Sequence, residues 1–279
     1  MRGITIRWFL PLLVAVGLVA VSLSAAIAAS SSKKSSDDEK VEGDQFHWSG
    51  VIKSGKTLEV KGILGEIVAE AATGTEVVVE ARKHGRKSDP DEVKIEVVEH
   101  EDGVTICARY PRPDGGLNDC EPGDNHSSNT RNNDVEVDFR IKVPAGVGLV
   151  ARNVNGDIDA TGLKSPVDAG TVNGSVFIST TRQAEATTVN GSITARMGQA
   201  DWTGDLEFAT VNGGIRLELP QTVNVEVSAS TTNGNISTDF PLMVKGKINS
   251  RRLSGTIGKG GRELTLSTVN GSIQLRAID

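Results

Sequence analysis

Thr171-Val172-Asn173-Gly174-Ser175-Val176 is one copy of a short sequence that recurs through the second half of this 279-residue chain. Aligned on the asparagine, the further copies are Val154-Asn155-Gly156-Asp157-Ile158, Val189-Asn190-Gly191-Ser192-Ile193, Val211-Asn212-Gly213-Gly214-Ile215, Thr232-Asn233-Gly234-Asn235-Ile236 and Val269-Asn270-Gly271-Ser272-Ile273, with a degenerate copy at Leu253-Ser254-Gly255-Thr256-Ile257. The copies follow one another at intervals of 16 to 22 residues. A period in this range indicates a repeat architecture in which each copy is one structural unit.

The residues on both sides of each asparagine alternate as β-strands do. Two, four and six residues before it the side chains share one face, as Val167, Ala169 and Thr171 do. After it the apolar positions fall three and five residues on, as at Val176 and Ile178. The period-2 pattern therefore changes phase across Asn-Gly, which keeps both apolar faces in one core.

Each Asn-Gly is predicted to be a sharp corner between two strands, because glycine has no Cβ and asparagine tolerates positive φ. The predicted structural corners are Asn155-Gly156, Asn173-Gly174, Asn190-Gly191, Asn212-Gly213, Asn233-Gly234, Ser254-Gly255 and Asn270-Gly271.

Two all-β architectures fit this pattern. In a single-stranded parallel β-solenoid (β-helix), each repeat is one coil and equivalent residues stack about 4.8 Å apart along the axis. In an antiparallel β-meander or sandwich, each Asn-Gly is a two-residue hairpin turn. The joint recurrence of Thr, Val, Asn, Gly and a small polar residue favours the solenoid, because stacked coils place each residue beside a copy of itself.

The N-terminal part of the chain carries a targeting signal. Residues 1–29 are predicted to be a signal peptide, since two arginines precede an apolar run that ends in a small-x-small site, with cleavage near Ala28. An uncleaved membrane anchor is the alternative, because a run of about 20 apolar residues can span a bilayer. We expect export to the periplasm, cell envelope or extracellular space.

Composition divides the remainder of the chain. Residues 30–45 are rich in Ser and charge and are predicted to form a disordered tether. Residues 46–279 are predicted to be the β-solenoid domain, in which 110–133, rich in Pro, Gly, Asn and Asp, is a surface insertion and 150–279 are the regular repeats. Without residues 1–29 the chain has 28 Lys+Arg against 36 Asp+Glu, a balance that argues against a nucleic-acid partner.

Several segments together resemble the bacterial putative adhesin family of β-strand-repeat envelope proteins, whose function is undefined. The resembling segments are Leu58-Glu59-Val60, Gly65-Glu66-Ile67, Val77-Val78-Val79-Glu80-Ala81, Val135 to Pro144 and the Val-Asn-Gly-Ser-Ile copies. The likeness extends over about residues 46 to 279. It implies a parallel β-solenoid outside the cytoplasm and supplies no catalytic residues.

Cys107 and Cys120 are the only cysteines. In an oxidising compartment this pair predicts a disulfide, worth about 3 kcal/mol for a loop of this length, with two free thiols as the alternative. The cysteines and histidines match no zinc pattern, and no catalytic or phosphate-binding motif is present. No cofactor-binding, metal-binding or catalytic residue is predicted.

A carboxylate cluster is the one feature that would suggest catalysis, because parallel β-helices can carry lyases and glycosidases. Asp157, Asp159, Asp168, Asp201 and Asp205 lie on or between the early coils and would have to converge on one flank. Each is also an ordinary turn or strand residue, and none forms an acid/base pair that the sequence marks.

The sequence therefore predicts a non-enzymatic exported protein, adhesin-like or scaffolding, that presents ladders of Thr, Ser and Asn to an unknown surface partner or glycan. A carbohydrate-active enzyme and a membrane-tethered accessory of an envelope-stress system are the alternatives. Since Ile273 to Ile278 is the last strand-like segment, it is expected to form an exposed coil end that allows end-to-end self-association unless Arg276 and Asp279 blunt it.

Overall fold

The computed structural model describes residues 41–43, 45–123, 130, 132–244 and 250–279. The predicted signal peptide (1–29), its cleavage site at Ala28, residues 30–40 and 44 of the predicted tether, residues 124–129 and 131 of the predicted insertion and residues 245–249 of the predicted repeats lie outside the described residues. Within them the chain is all-β, as predicted, and a 3-10 helix spans Pro90–Glu92.

The strands, in chain order, are β1 (Val41–Glu42), β2 (Phe46–Gly50), β3 (Thr57–Lys61), β4 (Ile67–Ala71), β5 (Val77–Gly85), β6 (Lys94–His100), β7 (Gly103–Arg109), β8 (Glu136–Val143), β9 (Gly148–Arg152), β10 (Ile158–Leu163), β11 (Val167–Gly170), β12 (Val176–Thr180), β13 (Ala184–Asn190), β14 (Ile193–Met197), β15 (Leu206–Asn212), β16 (Ile215–Pro220), β17 (Val225–Asn233), β18 (Ile236–Thr238), β19 (Met243–Val244), β20 (Arg252–Ile257), β21 (Arg262–Asn270) and β22 (Ile273–Ile278).

The described strands form two mixed sheets. The first sheet has the order β1-β5-β8-β4-β10-β12-β14-β16-β22-β18, with β2 also paired to β5. The second has the order β19-β20-β17-β21-β15-β13-β11-β9-β3-β7-β6. Parallel pairs make up the middle of both sheets. Antiparallel pairs lie towards their ends: β1 and β2 on β5, β5 on β8, β6 on β7, and the hairpin of β19 and β20 on β17.

Equivalent positions of different repeats lie side by side in the parallel part of the first sheet. Val176 pairs with Ile193, Ile193 with Ile215 and Ile215 with Ile273. All four side chains point between the sheets and are at most 1% exposed. Because these buried side chains lie next to one another from strand to strand, the repeats share one continuous apolar core. Burying each of them stabilises the fold by roughly 1.5–3 kcal/mol.

The Asn-Gly corners lie in single file where the chain passes from the second sheet to the first. Asn155 bridges to Asn173 and Asn173 to Asn190, each in parallel orientation. The file continues through Asn212, as the parallel pairing of β13 with β15 shows. The two strands that flank a corner belong to different sheets, so the alternative of an antiparallel meander with Asn-Gly hairpins is wrong.

The corner glycines are required for a reason other than the predicted one. Positive φ occurs at Gly156 (+149°), but the described residues with positive φ do not include the glycines of the later corners. A Cβ at Gly191 would instead lie 1.9 Å from the carbonyl oxygen of Gly174 in the coil below, and a Cβ at Gly213 would lie 1.9 Å from the carbonyl oxygen of Gly191. Glycine is needed at these corners because stacked backbones approach closely.

The order of the repeats in space differs from their order in sequence. β21 lies between β15 and β17, and β22 lies between β16 and β18. The Asn270 coil is therefore inserted between the Asn212 and Asn233 coils. The expectation that Ile273 to Ile278 forms an exposed coil end is wrong, because β16 pairs with the whole of this strand on one side and β18 pairs with Ile273 to Leu275 on the other.

Ser254-Gly255 is not a corner. Both residues lie within β20, which runs antiparallel to β17 and pairs Ser228 with Ser254. The prediction was wrong because Leu253 to Ile257 resembles the repeat only locally. Ser-Gly between apolar residues is equally compatible with the interior of a strand, here one that covers the end of the second sheet. With β19, this strand caps the sheet edge that β17 would otherwise expose.

Candidate functional site

One edge of the stack presents the same exposed side chains coil after coil. We call it the corner edge and define it by the residue before each corner asparagine, the asparagine itself and the second residue after it. Its exposed members are Val172, Val189, Val211, Thr232, Val269, Asn173, Asn190, Asn212, Asn233, Asn270, Asp157, Ser175, Ser192, Asn235 and Ser272. The corner edge therefore repeats nearly the same exposed side chains from coil to coil.

The asparagine side chains of the corner edge form a continuous hydrogen-bonded ladder. In each bond the Nδ2 of one asparagine donates to the Oδ1 of the neighbouring coil at 2.7–2.8 Å. The bonds run from Asn173 to Asn155, Asn190 to Asn173, Asn212 to Asn190, Asn270 to Asn212 and Asn233 to Asn270. A primary amide has two donors and an acceptor oxygen with two lone pairs. Asn173, Asn190, Asn212 and Asn270, which both donate and accept in the ladder, therefore each keep one N–H and one lone pair that can face a ligand.

Four valines form an apolar ridge beside this ladder. Val172, Val189, Val211 and Val269 are each about two-fifths exposed, although more than half of the valines in the described residues are buried. They face solvent because they are one residue out of phase with the core positions. The sequence already contains this information. Side chains two, four and six residues before the asparagine face the core, so the valine one residue before it must face the opposite side, and this alternation would have identified the ridge.

The threonines two residues before the corner asparagines are buried, which corrects the expectation of an exposed Thr ladder, whereas Thr232, one residue before Asn233, is exposed. Thr188, for example, is 5% exposed, and its hydroxyl donates to the carbonyl oxygen of Gly174 at 2.8 Å. The other repeat threonines do the same towards the neighbouring coil. They lie on the core face, where a hydroxyl needs a partner, so they join coils instead of recognising a ligand.

Smaller polar groups complete the corner edge. The backbone N–H of Ser192 donates to Ser175 Oγ at 3.3 Å, and the N–H of Gly214 donates to Ser192 Oγ at 3.3 Å. In the first of these coils Asp157 takes the same part, because its Oδ1 accepts from the N–H of Ser175 at 2.7 Å. The corner edge is thus held in place by its own hydrogen bonds before any ligand arrives.

The carboxylates that could have indicated catalysis do not converge. Asp157 precedes β10 and Asp159 lies on it, in the first sheet, whereas Asp168 lies on β11 in the second sheet. Asp201 and Asp205 lie in the connection between β14 and β15. The five groups are therefore spread over two sheets and a loop, and an acid/base pair is not assembled from them.

A short acidic row crosses the outer face of the second sheet. Asp168 pairs in register with Glu185, and Arg152 binds Asp168 through two hydrogen bonds of 2.9 and 2.5 Å. Burial raises the pKa of Glu185, and the nearby carboxylates of Asp168 and Glu207 raise it further. The row places like charges on neighbouring strands, which is a cost to stability that the arginine partly offsets.

The predicted disulfide between Cys107 and Cys120 is present, with a Cα–Cα distance of 5.7 Å. It ties residues 110–123 against the second sheet beside a buried ion pair. The Nζ of Lys61 lies 3.3 Å from Glu59 and donates to the carbonyl oxygen of Glu121 at 2.6 Å, and the N–H of Gly123 donates to Glu59 at 3.2 Å. The loop thus supplies backbone hydrogen-bond partners to both members of a buried ion pair.

A cleft of about 390 Å³ lies next to this loop and is lined by Thr57, Glu59, His100, Asp102 and Arg152 among others. His100 contacts the hydroxyl of Thr105 at 3.1 Å, and that hydroxyl donates to Glu59 at 2.8 Å. Thr105 is fully buried, so its hydroxyl is inaccessible to a substrate. The chain of contacts supports the loop.

Within the described part of the chain, no three His, Cys, Asp or Glu side chains are arranged to share a metal ion. Over the same residues, no helix has the length and apolar character needed to cross a bilayer.

Comparison with known proteins places the repeats in a family. The model of the Toastrack DUF4097 family matches residues 123–276, which is more than half of the chain. The chain belongs to this family. Toastrack DUF4097 is a domain of unknown function, so membership establishes kinship and leaves the activity open. No curated protein matches the chain.

Solved structures resemble this Toastrack chain at low identity. A "putative cell adhesion protein" from Clostridium sporogenes is 11% identical, with 84% of this chain and 100% of that chain covered and a TM-score of 0.42. A "putative adhesin" from Bacteroides fragilis is 10% identical, with 84% and 97% covered and a TM-score of 0.25. A "putative lipid binding protein" from Parabacteroides distasonis is 9% identical, with 85% and 98% covered and a TM-score of 0.27.

Proposed function

We propose that this protein is a non-enzymatic, exported protein of the cell envelope that binds an extended partner along the corner edge. The observation that supports the proposal is the asparagine ladder, whose hydrogen bonds of 2.7–2.8 Å run without a break from Asn155 to Asn233 beside an exposed valine ridge. In this proposal residues 150–279 act as a rigid β-solenoid.

The ladder is suited to a ligand that repeats. Neighbouring coils lie about 4.8 Å apart, so apolar and polar groups recur at that interval along the corner edge. A glycan strand has matching chemistry, because its C–H faces can cover the valines while its hydroxyls bond the remaining amide N–H and oxygen of each asparagine. The ladder is already ordered by its own bonds, so little side-chain entropy is lost on binding.

A non-enzymatic role is favoured by the position of the acidic groups. The carboxylates weighed for catalysis lie apart, and Asp168 is engaged by Arg152. Export is supported by the first 29 residues, with their two arginines, apolar run and site at Ala28. N-terminal sequencing of the protein from its native envelope tests this part, and an N-terminus at Met1 would argue for an uncleaved anchor.

Binding can be tested with the purified protein on a panel of linear polysaccharides that includes cellulose, chitin, alginate and peptidoglycan. The informative variant carries Val189→Ser and Val211→Ser, which remove apolar contact from the ridge without touching the core. We expect at least about tenfold weaker binding, which corresponds to about 1.4 kcal/mol.

Val51→Ser is the control with the same chemical change, because Val51 is exposed (68%) and precedes the start of β3, at the opposite end of the second sheet's strands from the corner edge. The control is expected to bind like the wild type. Equal loss in both variants, or no loss in the double valine variant, would remove the corner edge as the binding surface.

A further inference from the structure

A cleft of about 510 Å³ lies between the end of β2 in the first sheet and the hairpin of β6 and β7 in the second. The connection between β2 and β3 completes its lining. All of the lining residues belong to 45–123, a range that the structure describes without a gap. The volume is within the range of about 300–1,000 Å³ that small-molecule sites occupy, so the cleft can hold a small ligand.

The floor of the cleft is apolar. Ile52 and Val104, each 7% exposed, are core residues that also line it, and Trp48 packs against the same core. Gly50 lies two residues after Trp48 on β2, and a Cβ at Gly50 would lie 2.7 Å from Cζ2 of the indole. Glycine therefore leaves the room in which the indole lies against the backbone. This floor can cover an apolar group of a ligand, which is favourable because apolar surface is removed from water.

Backbone contacts hold the walls of the cleft in place. The N–H of Thr57 donates to the carbonyl oxygen of Asp102 at 3.0 Å, and a Cβ at Gly103 would lie 1.8 Å from the carbonyl oxygen of Thr57. The turn of the β6–β7 hairpin is therefore packed directly on the start of β3. The N–H of Lys56 donates to the carbonyl oxygen of Lys53 at 3.0 Å and closes the turn before β3. Ordered walls reduce the entropy that is lost when a ligand binds.

Charged side chains of both signs surround the apolar floor. Lys53, Glu99 and Glu101 line the cleft and are exposed, and we call these three residues the rim. Lys56 also lines the cleft, and its Nζ lies 3.8 Å from Oδ1 of Asp102. An ammonium group only donates hydrogen bonds, and an ionised carboxylate only accepts them. The rim therefore offers a ligand one cationic donor and two anionic acceptors.

We propose that the cleft binds a small zwitterion with an apolar group. The anionic group of the ligand bonds Lys53, its ammonium group bonds Glu99 and Glu101, and its apolar group lies on Trp48. A ligand with a single charge would meet a group of like sign at the rim, which discriminates against it. A zwitterion meets an opposite charge on both sides, and the indole face also attracts its ammonium group.

Two kinds of molecule have this chemistry. One is a free amino acid with a large apolar side chain, and the other is a lysophospholipid with an ethanolamine headgroup. The cleft is separate from the corner edge, because β3 and β9 run from the cleft end, at Thr57 and Gly148, towards the corners. The inference is therefore independent of the function proposed for the corner edge.

The test is isothermal titration calorimetry of the purified protein with L-leucine, L-phenylalanine and monomeric lysophosphatidylethanolamine. N-acetyl-L-leucine lacks the ammonium group and L-leucinamide lacks the carboxylate, so we expect each to bind about tenfold more weakly than L-leucine. Tighter binding of the lysophospholipid than of both amino acids identifies a lipid as the ligand, and the reverse order identifies an amino acid. Failure of all three to bind, or equal binding of L-leucine and its two blocked analogues, would overturn the proposal.

Variants of the rim locate the two charges. Lys53→Gln is expected to abolish the preference for L-leucine over L-leucinamide. The double variant Glu99→Gln and Glu101→Gln is expected to abolish the preference over N-acetyl-L-leucine. A merely structural role would not separate these two preferences. Trp48→Ala is expected to weaken the binding of each ligand about tenfold. Because Trp48 packs against the core, its urea unfolding midpoint is measured as well, and the exposed rim variants decide the outcome if it does not fold.

Matched controls make the same chemical changes nearer the other end of the second sheet. Lys259→Gln and the double variant Glu207→Gln and Glu263→Gln alter exposed residues on or beside β15 and β21. Both are expected to bind L-leucine like the wild type, as is the corner-edge variant with Val189→Ser and Val211→Ser. If the controls lose binding as the rim variants do, or if the rim variants keep both preferences, the cleft is not the site.

Discussion

Replacing Gly191 by alanine should destabilise the stack although the backbone there adopts an ordinary φ. The added Cβ would lie 1.9 Å from the carbonyl oxygen of Gly174, whereas ordinary contact begins near 3.4 Å, so two coils must separate locally by about 1.5 Å. Overpacking of this kind costs roughly 1–3 kcal/mol. The shift also weakens the bonds that Gly174 N–H and Thr188 make between these coils, each worth about 1 kcal/mol. We expect a total loss of about 3–5 kcal/mol.

Two other glycines separate this cause from the conformational one. Gly204 has φ +82° and no atom within 4 Å of an added Cβ, so Gly204→Ala should cost only about 1–2 kcal/mol for its left-handed backbone. Gly74 has neither positive φ nor a neighbour within 4 Å, so Gly74→Ala should be neutral or stabilise by up to about 1 kcal/mol. Urea unfolding followed by tryptophan fluorescence, to which the buried Trp202 (3% exposed) contributes, measures all three. If Gly191→Ala proves no worse than Gly204→Ala, close approach is not what the corners require.

Three further predictions follow from single contacts. Thr188→Val keeps the shape but removes a 2.8 Å hydrogen bond between coils, so urea unfolding should show a loss of about 1 kcal/mol, while the exposed Val189→Thr should change stability by less than about 0.5 kcal/mol. Reduction of the Cys107–Cys120 disulfide should cost about 3 kcal/mol, and an unchanged unfolding midpoint in dithiothreitol would contradict the role given to the loop. Glu185→Gln should stabilise the protein by a few tenths of a kcal/mol at neutral pH. Because the pKa of Glu185 is raised in the folded state, this gain should vanish as the pH falls through that pKa and protonates the carboxyl; a gain that persists in acid would refute it.

The local features of the repeats could be predicted from the sequence because they depend on neighbouring residues. Alternation of period two identified Val176 and Ile178 as inward-facing, and both are buried. The recurrence of Asn-Gly located the corners between successive strands. The ladder of like residues followed from the near identity of the copies.

The candidate site was predicted only in part. The asparagines and serines of the corner edge were expected on the surface, and Asn190 and Ser192 are exposed there. The threonines were expected beside them but are buried, since a hydroxyl on the core face finds its partner in another coil, which sequence spacing does not show. The exposure of Val189 could have been predicted from the alternation of the strand, because Val189 is one residue out of phase with the core positions, but it was not predicted.

By itself the sequence determined the class of strand, the inward and outward faces, the positions of the asparagine corners and the pairing of two cysteines, because each of these depends on a short stretch or on a unique pair. The tertiary structure alone decided the order in which the coils stack and the role of Leu253 to Ile257 as a cap. Near-identical coils offer near-identical edges to one another, so local preference cannot distinguish Asn233 from Asn270 as the neighbour of Asn212. Asn233 and Asn270 are distinguished by how the strands pack at this end of the second sheet. There β19 and β20 cover one edge of β17, and β21, the last strand of that sheet in the sequence, occupies its other edge.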